Sequence, residues 1–311
     1  MTDTIRSRGM RTVVTILALA AAVLYGTADF LGGVASRRAS VFAVLAMTVP
    51  AGAAVVIVVA LLGEVPGLSS LLGHGLGTPI SVGGWGAAGW AALSGVCGAA
   101  GLVAFYAGFA AAPISVVAPV AALVSTVLPV GIAVAEGERP TSRMVAGGLI
   151  CLVAIVLVSA PAAGRDDPDA WPAGRLRGLG YGVAAGAGFG LFFLCLKNAG
   201  QSGVLWPVAI SRSAGTMIAV GIALATRTRP WRREGGGTGV IALVSGAVDA
   251  AANVCYVLAT RVGLFGLAVV ITSLYPGMTV LLARWVLGER MRWLQRAGLL
   301  LAASGVVLLT T

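Results

Sequence analysis

Charge is what this chain has least of. Asp, Glu, Lys and Arg make up 10% of its 311 residues, whereas a soluble domain carries about 25%. A surface so poor in charge cannot be wetted all round, which excludes an ordinary water-soluble globule. Histidine is almost missing. With His74 as the only copy, no metal cluster of His, Cys and Asp and no nucleophile–base–orienter set can be assembled. The four cysteines, Cys97, Cys151, Cys195 and Cys255, stand far apart, each within an apolar run. They read as free thiols used for packing, not as metal ligands. No phosphate-cradling Gly-rich loop ending in Lys-Ser or Lys-Thr occurs. An enzyme, a cofactor-bearing protein and a pump driven by this chain's own ATP hydrolysis are all disfavoured.

What is present is apolar length. Hydrophobic residues make up 58% of the chain and its mean hydropathy is +0.97. A membrane-spanning helix needs about 20 apolar residues. Segments at about 13–33, 41–63, 85–109, 114–135, 142–160, 177–197, 206–226, 238–258, 264–286 and 293–311 meet that length. The expected fold is an all-α integral membrane protein of ten transmembrane helices. The first segment is longer than the apolar core of a signal peptide and is read as a span. The net charge of +10 sits mostly in short loops, where it meets anionic headgroups and sets topology. Membrane lipids, not nucleic acid, are the expected partners of that charge.

One seam is obvious. Residues 161–176 hold Pro161, Asp166, Asp167, Pro168, Asp169, Pro172 and Gly174, a polar, turn-forming linker. It divides a first unit, 1–160, from a second, 177–311, with five helices in each. The Gly/Ser-rich stretch 65–84 is too broken to span, and Arg227–Gly237 is a basic turn. The two units echo each other. Gly137-Glu138-Arg139 and Gly288-Glu289-Arg290 fall at the same place in both hydropathy profiles, and Ala146-Gly147 matches Ala297-Gly298 at the same offset. Five crossings leave the chain on the far side, so the second copy enters upside down. An inverted-topology repeat of this kind is typical of alternating-access transporters, whose substrate site lies at the repeat interface near the midplane. Gly182, Gly186 and Gly190 form a small-residue ridge on the sixth helix, a helix-packing signal.

These features resemble the drug/metabolite transporter superfamily, in its ten-helix EamA-type branch. The resemblance rests on the two Gly-Glu-Arg tripeptides and the Gly/Ala/Leu-rich helices that follow them. It implies transport of small metabolites, often export, through a cavity between the repeats. It also implies that helices 3, 4, 8 and 9 build the core and that helices 1 and 6 line the cavity. Family members keep both termini in the cytoplasm. Charge points the other way: with a cytoplasmic N-terminus, seven Lys/Arg would face inside and twelve outside, so the positive-inside rule favours termini outside.

Ionisable residues within spans cost about 2.5–3.5 kcal/mol each on insertion scales, which makes them functional candidates. Asp249 lies halfway along the eighth segment, and Asn253, Tyr256 and Thr260 share its helical face at about 100° per residue. That stripe can bind a polar solute or pass a proton. The alternative is an ion pair with Arg212 or Arg284. Asp29, one turn after Tyr25, faces solute if helix 1 lines a cavity; otherwise it reaches the interface or pairs with Lys197. Phe189, Phe192 and Phe193 form an aromatic patch on helix 6, suited to an apolar or cationic solute or simply to packing. Arg212 can hold a carboxylate or phosphate, or neutralise Asp249. Arg284 reads as an interfacial residue, and Glu138 and Glu289 as fixing helix ends. Pro119 and Pro129 in helix 4 and Pro276 in helix 9 interrupt the backbone ladder in matching elements. Paired breaks of this kind point to a site, with Tyr275 as a lining residue.

The expected function is secondary transport of a small metabolite or drug-like solute across the cell membrane. The expected direction is export, by alternating access, with protons as a possible coupling ion. The other reading is a non-transporting scaffold or lipid-binding membrane protein. No cofactor is expected.

Overall fold

A computed structural model describes residues 2–63, 84–112, 114–159, 173–227, 237–288 and 291–310. Outside the described residues lie His74, most of the 65–84 stretch, most of the 161–176 linker, most of the Arg227–Gly237 turn, and Glu289 and Arg290. The described residues are helical almost throughout: α1 Thr2–Ser36, α2 Val41–Gly63, α3 Gly84–Ala111, α4 Ile114–Ala135, α5 Ser142–Ser159, α6 Ala173–Gly200, α7 Leu205–Ala225, α8 Thr238–Val262, α9 Phe265–Thr272, α10 Tyr275–Val286 and α11 Trp293–Thr310. Because α9 and α10 follow one another within a single crossing, these helices give 10 spans that are long and apolar enough to cross a membrane.

The outer surface confirms the solvent. Ile16, Val58, Leu149, Met217, Leu224 and Leu300 are all more than half exposed. In water such a belt would aggregate, and in lipid it is the solvated surface. Trp285 and Trp293, 70% and 74% exposed near the ends of their spans, stand where interfacial tryptophans belong.

Helices of the two halves interleave. The most extensive pairings are α3 with α6, α1 with α8, α5 with α11, α4 with α6, and α2 with both α7 and α8. Exchanging each helix for its counterpart in the other half turns α3–α6 into α8–α1, α4–α6 into α9/α10–α1, and α2–α8 into α7–α3, all of which occur.

Lipid offers no hydrophobic drive for helix association, so close packing must supply it. The Gly182–Gly186–Gly190 ridge receives α4: a Cβ at these positions would meet Val120, Ala121 and Pro129. Gly26 lets α10 lie against α1, where a Cβ would sit 2.5 Å from the Tyr275 carbonyl oxygen. Thr279 Oγ1 bonds the Gly26 carbonyl across the same contact at 3.1 Å.

The repeated Gly-Glu-Arg now has a backbone reason. Gly137 and Gly288 are the only described glycines with φ in the left-handed region, at 105° and 69°. Gly137 ends α4 in a Schellman turn: its N–H bonds the Val134 carbonyl at 3.1 Å, and the Glu138 N–H bonds the Ala133 carbonyl at 2.9 Å. A side chain at either glycine would strain the turn.

The expected pair of helix breaks is half present. The ninth span is interrupted at Ser273–Leu274, and Pro276 lies in the first turn of α10, where its missing N–H costs nothing. In contrast, α4 runs unbroken through Pro119 and Pro129. Proline removes one backbone bond and bends a helix without having to end it.

Gly26→Val forces α1 and α10 apart and is expected to lower the thermal midpoint of the detergent-solubilised protein by several degrees. Gly221→Ala, with open space around its position, is expected to be neutral or stabilising by up to about 1 kcal/mol. Equal melting of both variants and wild type would contradict this packing.

Candidate functional site

The inner face of α1 sets the geometry. Its exposed apolar residues Val13, Ile16 and Val23 lie on one side of the helix. At about 100° per residue, Asp29 falls on the opposite side with Ala18, Ala22 and Tyr25, all three of which are buried. Asp29 is nevertheless exposed. Its carboxylate therefore faces an opening inside the bundle and not lipid. Gly33, one turn further on, is also exposed, with open space where a Cβ would be. The opening thus continues toward the C-terminal end of α1.

Tyrosine surrounds this acid. Asp29 lies close enough to Tyr25 on α1, Tyr106 on α3 and Tyr275 on α10 for its charge to act on all three phenols. Tyr25 packs edge-on against Tyr275, with centroids 6.2 Å apart, and against Phe193 at 6.0 Å. Phe192 and Tyr256 extend that string at 5.2 and 4.8 Å from Phe193. A second string links Phe42 to Tyr106 at 6.4 Å, Tyr106 to Phe105 at 6.2 Å, and Phe105 to Phe189 at 5.9 Å. The sequence reading singled out Tyr25, Tyr275 and the α6 phenylalanines. It missed Phe42 on α2 and Phe105 and Tyr106 on α3; the only signal for the latter two is an adjacent Phe-Tyr pair on a helix rich in Gly and Ala.

Deeper in the bundle the two halves are joined by polar bonds. The Tyr25 hydroxyl donates to Asn253 Oδ1 at 2.9 Å, and Asn253 Nδ2 donates to the Asp249 carbonyl oxygen at 2.7 Å. Asp249 and Arg212 form an ion pair between α8 and α7. This is the pairing that the sequence left open as an alternative to solute binding. The Asp249 side chain is 28% exposed and the Arg212 side chain 12%. The Arg212 Nε has no hydrogen-bond partner among the described residues. Tyr256 is fully buried, and its hydroxyl is bonded to the Phe193 carbonyl at 2.9 Å. Thr260 bonds back to the Val257 carbonyl at 2.8 Å within its own helix. The predicted stripe on α8 therefore splits in two. Asp249 and Asn253 join the network, whereas Tyr256 and Thr260 pack.

At the other end of the bundle the helices are tied together. Lys197 at the end of α6 pairs with Glu136 at the end of α4 at 2.8 Å, so it is not the partner of Asp29. The Lys197 ammonium also sits 4.7 Å from the centroid of the Phe265 ring, close enough for cation–π attraction. Glu138 accepts hydrogen bonds from the backbone N–H groups of Phe265 at 2.6 Å and Gly266 at 3.0 Å. A carboxylate there satisfies donors that no helical carbonyl can reach and complements the helix dipole. The first Gly-Glu-Arg thus clamps the second half's ninth span. Arg284 is exposed at the end of α10, as an interfacial residue should be. A small apolar crevice lined by Ile155, Val158, Leu274 and Pro276 has no charged residue in its lining.

Comparison with known proteins fits this architecture. The model of the EamA-like transporter family matches residues 176–311. These residues belong to that family. The EamA-like unit is α6–α11, and with 10 candidate spans the whole chain is a multi-pass membrane transporter. A solved crystal structure matches 96% of this chain and 96% of its own, with a TM-score of 0.69 and 20% identity. That likeness carries the fold through the first half as well. No curated protein matches the chain.

Breaking the Asp249–Arg212 pair leaves a charge without its partner in a low-dielectric interior. Asp249→Asn is expected to destabilise the protein by about 3 kcal/mol. Asp249→Asn combined with Arg212→Gln is expected to recover most of that loss. Thermal melts of the three variants check it, and additive losses in the double variant would contradict the pairing.

Proposed function

We propose that this protein is a secondary transporter of a small solute in the cell membrane, working by alternating access. Asp29 lies at its solute site. The observation that carries the reading is an unpaired carboxylate within a span, on the inward face of its helix, in contact with an opening. Keeping a charge there is costly, and among the described residues Asp29 has no ion-pair partner to offset the cost. A solute or a proton arriving through the opening is the natural counterpart.

The rest of the geometry supports this reading. Exposure continues from Asp29 to Gly33, toward the C-terminal end of α1. The Glu136–Lys197 pair and the Glu138 clamp tie helices together at the opposite end, as a state open on one side alone requires. The exchangeable helix pairings support two repeats of opposite topology with boundaries near 160 and 177, rocking about the Tyr25–Asn253–Asp249–Arg212 network. With Asp249 paired to Arg212, the proton-exchanging role falls to Asp29. Export is the direction that the family resemblance favours.

Reconstitution in proteoliposomes tests the reading. Wild-type vesicles are expected to accumulate at least one solute from a panel of amino acids, nucleosides, sugars and amines, at a rate that responds to an imposed pH gradient. Asp29→Asn is expected to cut that uptake at least about tenfold and remove the pH response, as loss of about 1.4 kcal/mol or more of binding would. Tyr181→Phe, on the outer face of α6, is expected to transport normally. Undiminished uptake by Asp29→Asn would sink the assignment. A wild-type protein that moves nothing in the panel would support the scaffold reading.

A further inference from the structure

We propose that the site around Asp29 binds an organic cation, an amine or quaternary ammonium on a small apolar body. The proposal rests on the transporter reading for its role in the cycle, and on local geometry for its chemistry.

Charge selects the sign. Of the three cations that the sequence reading weighed within spans, two are paired and the third points outward. Arg212 is paired with Asp249, Lys197 is paired with Glu136, and Arg284 is exposed at a helix end. Asp29 is the acid left facing the opening. A solute carboxylate or phosphate entering beside it meets like charge in a poorly screened space. A cation meets its counter-ion and removes the cost of an isolated carboxylate.

The walls select the kind of cation. Phe and Tyr are scarce, with 8 and 5 in the chain, yet three of those tyrosines lie within reach of Asp29, and each belongs to one of the two ring strings. Aromatic faces attract cations, most strongly where water is excluded and most characteristically for quaternary ammonium groups. The hydroxyl of Tyr25 is committed to Asn253, so that residue offers its ring to a solute. A strongly hydrated metal ion would require several oxygen ligands, whereas the residues placed near Asp29 are the three tyrosines Tyr25, Tyr106 and Tyr275. An alkylated nitrogen, with little hydration to lose, suits them.

Equilibrium binding of radiolabelled benzyltrimethylammonium to the purified full-length protein in detergent tests the proposal. Saturable binding is expected. Excess neopentylbenzene, its uncharged carbon isostere, and benzylphosphonate, an anion of similar size, are expected not to displace it. Asp29→Glu and Tyr106→Phe are expected to bind within about threefold of wild type. Asp29→Asn and Tyr106→Ala are expected to bind at least about tenfold more weakly, with melting midpoints close to wild type. The proposal is overturned by absence of saturable binding, by Asp29→Asn binding as well as wild type, or by equal competition from benzylphosphonate. Uptake by proteoliposomes separates the two readings. Asp29-dependent binding without uptake keeps the cation site and refutes transport. Uptake of an anionic or uncharged solute, without cation binding, keeps transport and refutes the cation site.

Discussion

Backbone-to-backbone contact between helices is the constraint on which everything else here depends. In lipid, apolar side chains gain nothing by leaving their surroundings, so helices cohere only where their main chains come close enough for dispersion and hydrogen bonds to act. Small residues provide that closeness at each main crossing. Gly26 meets α10, Gly95 and Gly188 meet α7 and α3, Gly246 meets α2, and the α6 ridge meets α4. The polar features are consequences of it. Tyr25 reaches Asn253 because α1 and α8 lie nearly in contact, and Tyr275 reaches Tyr25 because Gly26 has no side chain. Many of the chain's 45 glycines thus act as positioning elements for a few polar groups.

The division of labour among the charged residues follows from position along the spans. Charges near helix ends join the two halves to each other: Glu136 with Lys197, and Glu138 with the start of α9. Charges in the middle either cancel, as Asp249 and Arg212 do, or face the opening, as Asp29 does. One membrane protein therefore uses carboxylates in three ways. The surroundings decide which applies, since all three kinds of site lie on apolar helices.

Much of this was legible before any coordinates. Apolar length gives every span, because the bilayer fixes how long a helix must be. The Gly-Glu-Arg echo points to two halves, and the glycine ridge on α6 was legible as a packing surface because small-residue spacing favours close helix approach in lipid. The site was harder to read. Asp29, Asp249 and Arg212 stand out as charges in apolar runs, but no feature of the sequence says which two will pair, since that depends on helices 37 residues apart in chain position (249 minus 212) meeting at the right depth. Phe105 and Tyr106 went unnoticed because an aromatic residue in a membrane helix is as often lipid-facing as inward. Pro119 and Pro129 looked like breaks, yet a continuous helix absorbs them.

The interleaving of the halves has a consequence for how the chain is made. The largest contacts of α1 are with α8, and those of α5 with α11. Translation at about 5–20 residues per second separates the synthesis of such partners by roughly ten seconds or more. For that interval Asp29 and Tyr25 sit in a helix whose counterparts have not yet been synthesised. The synthesis of α8 and α11, not that of the linker between the halves, is what first gives α1 and α5 their main partners.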